Sequence, residues 1–316
     1  MFPQNTEPTR IAILDFGTNT FNLLITEVSD ENKLQVIHTS KEAVKLGEGG
    51  ITKKLITPEA FQRGLKAIEN HLARVKEFGV SKVYAFATSA IRDASNGKDF
   101  IHAVQEKYDV YVLIIPGERE AEIIYRGVRL SMQMDEQPCL ILDIGGGSNE
   151  FIIANKKEIF WKNSFNLGMA RLLETFHPSD PISKPEIEKL NEFLKTELKP
   201  LFEAVSRFKP TVLIGASGSF ETISAMLHYR FPGKYPKNHH SSREINYEDF
   251  LALHEVLISS TIADRRLMQG MEPVRVEMIV LASIFIKITL QECRIKSIIQ
   301  SDYALKEGVI AEILNL

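Results

Sequence analysis

Cysteine is nearly absent from these 316 residues: there are two, Cys139 and Cys293, and tryptophan occurs once. Two cysteines with no C-x-x-C spacing cannot build a disulfide scaffold or a thiolate zinc site. Cys139 begins an apolar run, so both thiols are expected to be reduced core residues. Long apolar runs are missing as well. The longest, "MIVLASIFI" before Lys287, falls far short of the roughly 20 residues that a spanning helix needs. The opening "MFPQNTEPTR" lacks the basic-then-apolar pattern of an export signal. Excess positive charge is missing too. The 38 Lys and Arg stand against 41 Asp and Glu, a net charge of −3 with a pI near 6.3. That balance argues against a general nucleic-acid or membrane-surface binder. The expectation is a cytoplasmic protein with neither kind of partner.

Several chemical signatures are absent as well. No G-x-x-x-x-G-K-[ST] occurs, so there is no P-loop of that type. His254, in "HEVLI", lacks the second histidine of a zinc-protease helix, and the adjacent His239 and His240 cannot both face one metal from a strand or helix. No Ser-His-Asp or Cys-His arrangement stands out.

What is present is a repeat. "IAILDFGTNTFNLLI" at residues 11–25 returns as "CLILDIGGGSNEFII" at 139–153. Each copy is an apolar strand ending in Leu-Asp, then a glycine two residues past the Asp, then hydroxyl or amide residues. The surrounding order repeats too. Strands are expected at 10–16, about 20–29 and 34–44, a helix from Pro58, then strands at 82–87 and 110–115 and a helix from about Glu118. The second copy has strands at 139–144, 149–155 and 158–164, helices at 168–176 and 184–207, the strand "TVLIG" and a helix near Ser219. Asp30 to Lys33 read as a polar turn. Such a repeat is a duplicated α/β domain. The expected division is 1–125 and 126–300, with 301–316 a terminal helix that packs back on the first domain.

The glycine turns point to anions. Three consecutive glycines permit tight curvature, and their N–H groups can converge as a nest. A dinucleotide fingerprint fails, because Glu150 stands where a third glycine is needed and a strand follows the turn. Two hairpins built around Gly17, Thr18, Asn19 and Thr20 and around Gly145, Gly146, Gly147 and Ser148 would grip a phosphate chain from both sides. Asp15 and Asp143 would then hold Mg²⁺ directly or through water. The alternative is a pair of plain hairpins whose aspartates cap their own turns. A third cradle, "IGASGSFETI", offers Ser217, Gly218 and Ser219 at a helix start, or else Ser219 is a simple N-cap with Thr222 in the first turn. Arg92 suits bidentate phosphate binding or an ion pair with Asp93. Glu118 and Glu122 read as acids complementing a helix dipole, and spacing alone does not separate Glu120 from them. Residues 228–243 carry Arg230, Lys234, Lys237 and Arg243 and no acid. They read as a surface loop, either solvated with no role or with cations that track a long polyanion, and Tyr229, Phe231 and Tyr235 keep a guanine platform open.

With "LDFGTNTFNLLI", "KLGEG", "ATSAIRDA", "PGEREAEIIYRGV", "LDIGGGSNEFI", "NLGMARL", "GASGSFETI" and "SDYALKEGVI" in one order, the chain resembles the exopolyphosphatase and guanosine pentaphosphate phosphohydrolase family (Ppx/GppA) of the actin-like ATPase superfamily. The resemblance covers nearly the whole chain. It implies two ribonuclease-H-like domains with the active site in the cleft between them. It implies an exopolyphosphatase that releases terminal orthophosphate from inorganic polyphosphate with Mg²⁺. Guanosine pentaphosphate is the alternative substrate, and an ATP-dependent kinase or ATPase is a more distant reading. The family's catalytic carboxylate falls on Glu120, its second acidic pair on Asp143 and Glu150, and phosphate contacts on Gly17 to Thr20, Arg92 and Gly145 to Ser148. A homodimer is compatible with it. Pro116, Lys45, Asn149 and Asn22 depart from the family's usual residues, which leaves the acids intact and bears on substrate grip.

Overall fold

The computed structural model of the protein describes residues 9–28, 34–235 and 241–315. The turn expected at Asp30 to Lys33, and Lys237, His239 and His240, lie outside the described residues. The chain forms two compact units. The first runs through Pro116 and takes the last residues from Ile313, and the second is Gly117–Glu312.

The first unit opens with β1 (Thr9–Phe16), β2 (Thr20–Val28) and β3 (Leu34–Ala43) as an antiparallel meander. Helix α1 (Pro58–Glu77) then crosses over to β4 (Lys82–Ala87), which lies parallel to β1. Short α2 (Ser89–Asp93), α3 (Gly97–Tyr108) and β5 (Val112–Ile114) complete the order β3-β2-β1-β4-β5. Strand β1 is central, so Ile11 to Leu14 are buried without alternation, as a strand covered on both faces requires. Helix α1 begins where the sequence signals a start: Thr57 accepts the Ala60 amide, and Pro58 occupies the first turn. Leu65, Ile68 and Val75 are buried against the sheet. Phe16 stacks on Phe21 at 4.7 Å, and Phe21 meets Phe100 edge-on at 6.2 Å. These rings anchor both sides of the first glycine turn in the core.

The second unit repeats the plan after α4 (Gly117–Ser131). Strands β6 (Cys139–Ile144), β7 (Asn149–Ala154) and β8 (Ile159–Phe165) form the meander. Helices α5 (Met169–Phe176), α6 (Lys184–Glu197) and α7 (Lys199–Phe208) lead to β9 (Val212–Ala216) and α8 (Ser217–Arg230). Then come β10 (Ser242–Ile245), α9 (Tyr247–Ser259), α10 (Ile262–Leu267), α11 (Ile279–Cys293), β11 (Ser297–Ser301) and α12 (Leu305–Ile313). The sheet order is β10-β11-β9-β6-β7-β8. Setting aside β10, it is the first sheet's order again: a three-strand antiparallel meander whose first strand pairs in parallel with the strand after the crossover. Two ribonuclease-H-like domains of one plan account for the internal repeat.

Some expected boundaries move. The helix expected over 184–207 is two helices meeting at Leu198, because Pro200 has no N–H for the carbonyl four residues back. Residue 125 lies inside α4, so the division falls at Pro116/Gly117, and α4 belongs to the second unit. Most of the terminal helix, α12, belongs to the second unit and lies against α4, and its last residue, Ile313, groups with the first unit. A Cβ on Gly127 would sit 1.9 Å from the Ala304 carbonyl oxygen, and one on Gly308 would sit 1.8 Å from that of Ile123. The helices cross with backbones nearly touching, which only glycine permits at both positions.

"MIVLASIFI" is the buried first half of α11 with its N-cap Met278, and no helix of the described residues is long and apolar enough to cross a membrane. Both cysteines are buried and free, and burial pushes each thiol up to about 12, far from reactivity. His254 is a core residue, 2% exposed, and its Nδ1 lies 3.1 Å from the Ser283 hydroxyl. That hydroxyl donates to the Val280 carbonyl, so Nδ1 is the donor to Ser283.

Burial, with Lys287 adding to it, lowers the His254 pKa to about 4, and burial also lowers that of His71. A depressed histidine is bound neutral in the fold, so its stabilisation is full above the unfolded pKa near 6.5 and is lost as pH falls toward 4. The second unit should lose about 2 kcal/mol through His254 between pH 7 and pH 5. Urea unfolding of His254→Gln should show a flatter dependence over that range than the native chain. Gly127→Ala should destabilise the second unit by about 1–3 kcal/mol through overpacking against Ala304, read as a lower thermal midpoint.

Candidate active site

The two glycine turns sit at the ends of the first strands of their hairpins. In the first unit, β1 and β2 pair Asp15 with Asn22 and Phe16 with Phe21. The Gly17 amide donates to the Thr20 carbonyl at 3.1 Å, and a Cβ on Gly17 would stand 2.9 Å from that oxygen. Asn22 donates its amide to the Asp15 carboxylate at 2.9 Å. The Asn19 carbonyl accepts from both Val44 and Lys45, and Thr18 packs its methyl against Gly47. Arg63 holds that "KLGEG" loop by donating to the Val44 and Lys45 carbonyls and to Glu48. Arg92 lies at the C-terminal edge of the same sheet. It donates to the Ile115 carbonyl at 3.0 Å and pairs with Asp93 at 3.4 Å. The ion pair anticipated for Arg92 is therefore present.

In the second unit, β6 and β7 pair Asp143 with Glu150 and Ile144 with Asn149. The Gly145 amide donates to the Ser148 carbonyl at 3.1 Å and to the Asn149 side chain at 3.2 Å. Three amides at the start of α5 then take the turn's carbonyls: Met169 to Gly145, Ala170 and Arg171 to Gly146. Gly168 donates to Gly147, and the Arg171 guanidinium donates to the same carbonyl. With the carbonyls taken, the amides of Gly146 and Gly147 find no acceptor among the described residues. Polar groups in so enclosed a turn demand a partner, and an anion supplies one.

Three carboxylates of this unit are buried: Glu120 is 7% exposed, Asp143 8% and Glu150 2%. Glu150 accepts from Ser164 at 2.7 Å. Glu120 is in the first turn of α4. That helix is fixed to the sheet by the Glu122–Lys162 pair near the Glu150 end of β8 and by Tyr125 donating to the Asn155 carbonyl at the other end. The N-terminus of α4 therefore lies toward Glu150. Ser217 joins the group, because β6 and β9 pair Asp143 with Ala216 and its hydroxyl donates to the Ile144 carbonyl at 3.2 Å. Ser217 has φ +64, a left-handed conformation that turns the chain sharply into α8. Ala216 is the N-cap and Ser219 lies inside α8, so the simple cap at Ser219 is not formed.

The expected site residues thus divide between the units. Asp15, Gly17 to Thr20 and Arg92 belong to the first, and Glu120, Asp143, Gly145 to Ser148, Glu150, Ser217 and Gly218 to the second. Among the described residues, no group of three His, Cys, Asp or Glu side chains forms a metal cage. Mg²⁺ does not need one, because it binds through one or two carboxylates and completes its shell with water and phosphate oxygens. The hard oxygens of Asp143 and Asp15 fit that habit. Arg275 was not anticipated. A Cβ on Gly218 would fall 1.5 Å from its Nη2, so the guanidinium lies directly over the third cradle, steadied by Glu272 at 2.9 Å. Ser164 was also missed, since only strand register brings it to Glu150. The basic loop is partly committed elsewhere: Lys234 pairs with Asp249 at 2.6 Å and Arg243 with Asp302 at 3.5 Å. Tyr235 is buried and donates to Asp249, which leaves it unable to serve as a guanine platform.

Known proteins carry the same architecture. The crystal structure of an exopolyphosphatase from Cytophaga hutchinsonii is 38% identical, with a TM-score of 0.94 over 97% of this chain and 98% of that one. A Ppx/GppA family member from Aquifex aeolicus, 24% identical, shares the fold at a TM-score of 0.77 over 97% and 98%. Exopolyphosphatase 1 of Mycobacterium tuberculosis is 25% identical over 309 residues, 97% of this chain and 88% of that protein. A bifunctional 3-dehydroquinate synthase/phosphatase of Fusobacterium nucleatum is 30% identical over 291 residues, 87% of this chain. The match spans only 42% of that longer protein. The sequence model of the Ppx/GppA phosphatase family matches residues 24–316, and the chain belongs to that family.

Proposed function

We propose that this protein is an exopolyphosphatase that hydrolyses the terminal phosphoanhydride bond of inorganic polyphosphate. The observation that carries this reading is the second-unit turn, where the free amides of Gly146 and Gly147 stand beside the buried pair Asp143 and Glu150. Amides suited to phosphate next to buried acids fit a phosphoanhydride hydrolase better than a neutral-ligand binder.

The terminal phosphoryl group would rest on the Gly145 to Ser148 turn, with Ser217 and Gly218 and the Arg275 guanidinium beside it. The Gly17 to Thr20 turn and Arg92 of the first unit would offer further contacts to the phosphate chain. Arg92 would exchange its Asp93 pair for phosphate oxygens, to which its fork is equally suited. Mg²⁺ held by Asp15 and Asp143 would supply charge neutralisation at the phosphate oxygens. Glu120 would accept a proton from the attacking water and orient it in line with the breaking P–O bond. Phosphoryl transfer is largely dissociative, so positioning and charge neutralisation contribute more than base strength. Glu150, oriented by Ser164, would hold the water shell of the metal and phosphate. Orthophosphate departs, and the shortened chain re-enters.

Guanosine pentaphosphate hydrolysis is the runner-up, weakened by the commitment of Tyr235 to Asp249. Orthophosphate release from long-chain polyphosphate against guanosine pentaphosphate, with Mg²⁺ and with chelator, tests the assignment. Rapid ATP turnover with inert polyphosphate would overturn it. Glu120→Gln should keep substrate binding while kcat falls by about 10²- to 10⁴-fold, and near-normal turnover would exclude Glu120 as the base. Asp15→Asn and Asp143→Asn should each raise the Mg²⁺ concentration for half-maximal activity with the fold intact by circular dichroism. Unchanged metal titrations in both variants would remove these residues from the metal site.

A further inference from the structure

Outside the residues assigned to hydrolysis, the second unit carries a groove between the outer stripe of α4 and the edge of its sheet. A cavity of about 530 Å³ is lined by Arg126, Arg129, Lys157, Lys162 and Trp161, among others. A second cavity of about 340 Å³ shares Arg129 and Lys157 with it and adds Lys156. The two therefore adjoin at Arg129 and Lys157. Their only lining acids are Glu122 and Glu158, in a chain whose net charge is −3.

The three lysines of this groove hold carboxylates, and its two arginines, Arg126 and Arg129, hold none among the described residues. Glu122 is claimed by Arg119 at 2.5 Å and by Lys162, and these two cations hold its carboxyl below the usual range. Arg126 is partly buried, yet among the described residues it makes no hydrogen bond or ion pair. A guanidinium left without an acceptor in a concave site is poised for an anion. Arg129 lies one turn further along α4, its guanidinium over the Tyr125 ring at 5.5 Å, and it lines both cavities. The far wall is stiff as well. Asn155 accepts the amides of both Lys157 and Glu158 at 2.8 and 3.0 Å, and Glu136 draws Lys156 and Lys157 together at 3.0 Å each. On α4, Arg126 and Arg129 share a face with Glu122, so successive cations line one direction. An isolated anion needs one such group; a row of them suits a linear one.

We infer that this groove binds the distal part of an inorganic phosphate chain, as an accessory site separate from the catalytic acids. The inference rests on the exopolyphosphatase reading for the identity of the chain. It also reassigns the role expected of residues 228–243, where Lys234 and Arg243 already hold carboxylates, to Arg126 and Arg129, which hold none among the described residues.

The test compares Arg126→Ala/Arg129→Ala with the native protein on long-chain polyphosphate and on tripolyphosphate over a salt series. KM for long chains should rise about tenfold, the loss expected from two charge-assisted contacts, and its dependence on salt should flatten. kcat, and kcat/KM for tripolyphosphate, should stay unchanged. Arg126→Lys/Arg129→Lys should restore most of the affinity, which a packing defect would not allow. Equal losses on long and short chains, no change on either, failure of the lysine rescue, or a loss confined to guanosine pentaphosphate would each overturn the groove. Titration of labelled long-chain polyphosphate in chelator reads binding without turnover. A native protein that binds the chain through Arg126 and Arg129 yet does not hydrolyse it would refute the activity and leave the groove standing. One that hydrolyses both lengths normally with no groove-dependent binding would do the reverse.

Discussion

Two carboxylates on neighbouring strands, both withdrawn from water, set the terms for the rest of the second unit. Asp143 and Glu150 stand opposite each other at the closed end of a hairpin, 8% and 2% exposed. Burying like charges side by side is unfavourable unless donors or cations meet them. The surroundings are built to do so. Ser164 donates to Glu150, the Gly145 turn presents amides next to Asp143, and Ser217 ties the adjacent strand end into the same group. The turn keeps this form because Gly145 has no Cβ, which would lie 2.5 Å from the Ser148 carbonyl oxygen. Helix α5 then takes the turn's carbonyls, so its amides are left for a ligand.

The first unit applies the same hairpin with different side chains. Asn22 donates to Asp15 where the second unit places an acid, Glu150, opposite Asp143. One hairpin therefore carries a single carboxylate satisfied by an amide, and the other carries a pair. This difference makes the second unit the more electronegative half and agrees with its also carrying Glu120. The stacked pair Phe16 and Phe21 explains how the first turn is held with only one glycine: the aromatic core beneath it supplies the rigidity.

Charge placement follows a related logic outside the acids. Some cations are committed to structure, such as Arg63 on the "KLGEG" loop and Arg265, buried against Asp180 and the Val276 carbonyl. Others, Arg126 above all, face a cavity without a partner among the described residues. A count of basic residues along the chain cannot make that distinction. The loop at 228–243 looked the more promising cationic element because it had no acid in sequence. Asp249 and Asp302, both beyond the loop, supply the acids in space.

Much of this protein was written in one dimension. The strand positions, the repeated β-β-β-α-β plan, the paired aspartates and the glycine turns all follow from apolar periodicity and local turn chemistry, which act over a few residues. The strands at 82–87 and 139–144 have the bounds that their apolar runs indicate. Other features needed the folded chain, because they depend on residues far apart in sequence. Register alone sets Ser164 beside Glu150, and a short 3-10 turn at Pro273–Arg275 carries Arg275 over Gly218. The close crossing at Gly127 and Gly308 assigns α4 to the second unit, although its sequence follows the first without a break. Local propensity has no term for such long-range steric fit, so only packing could decide it.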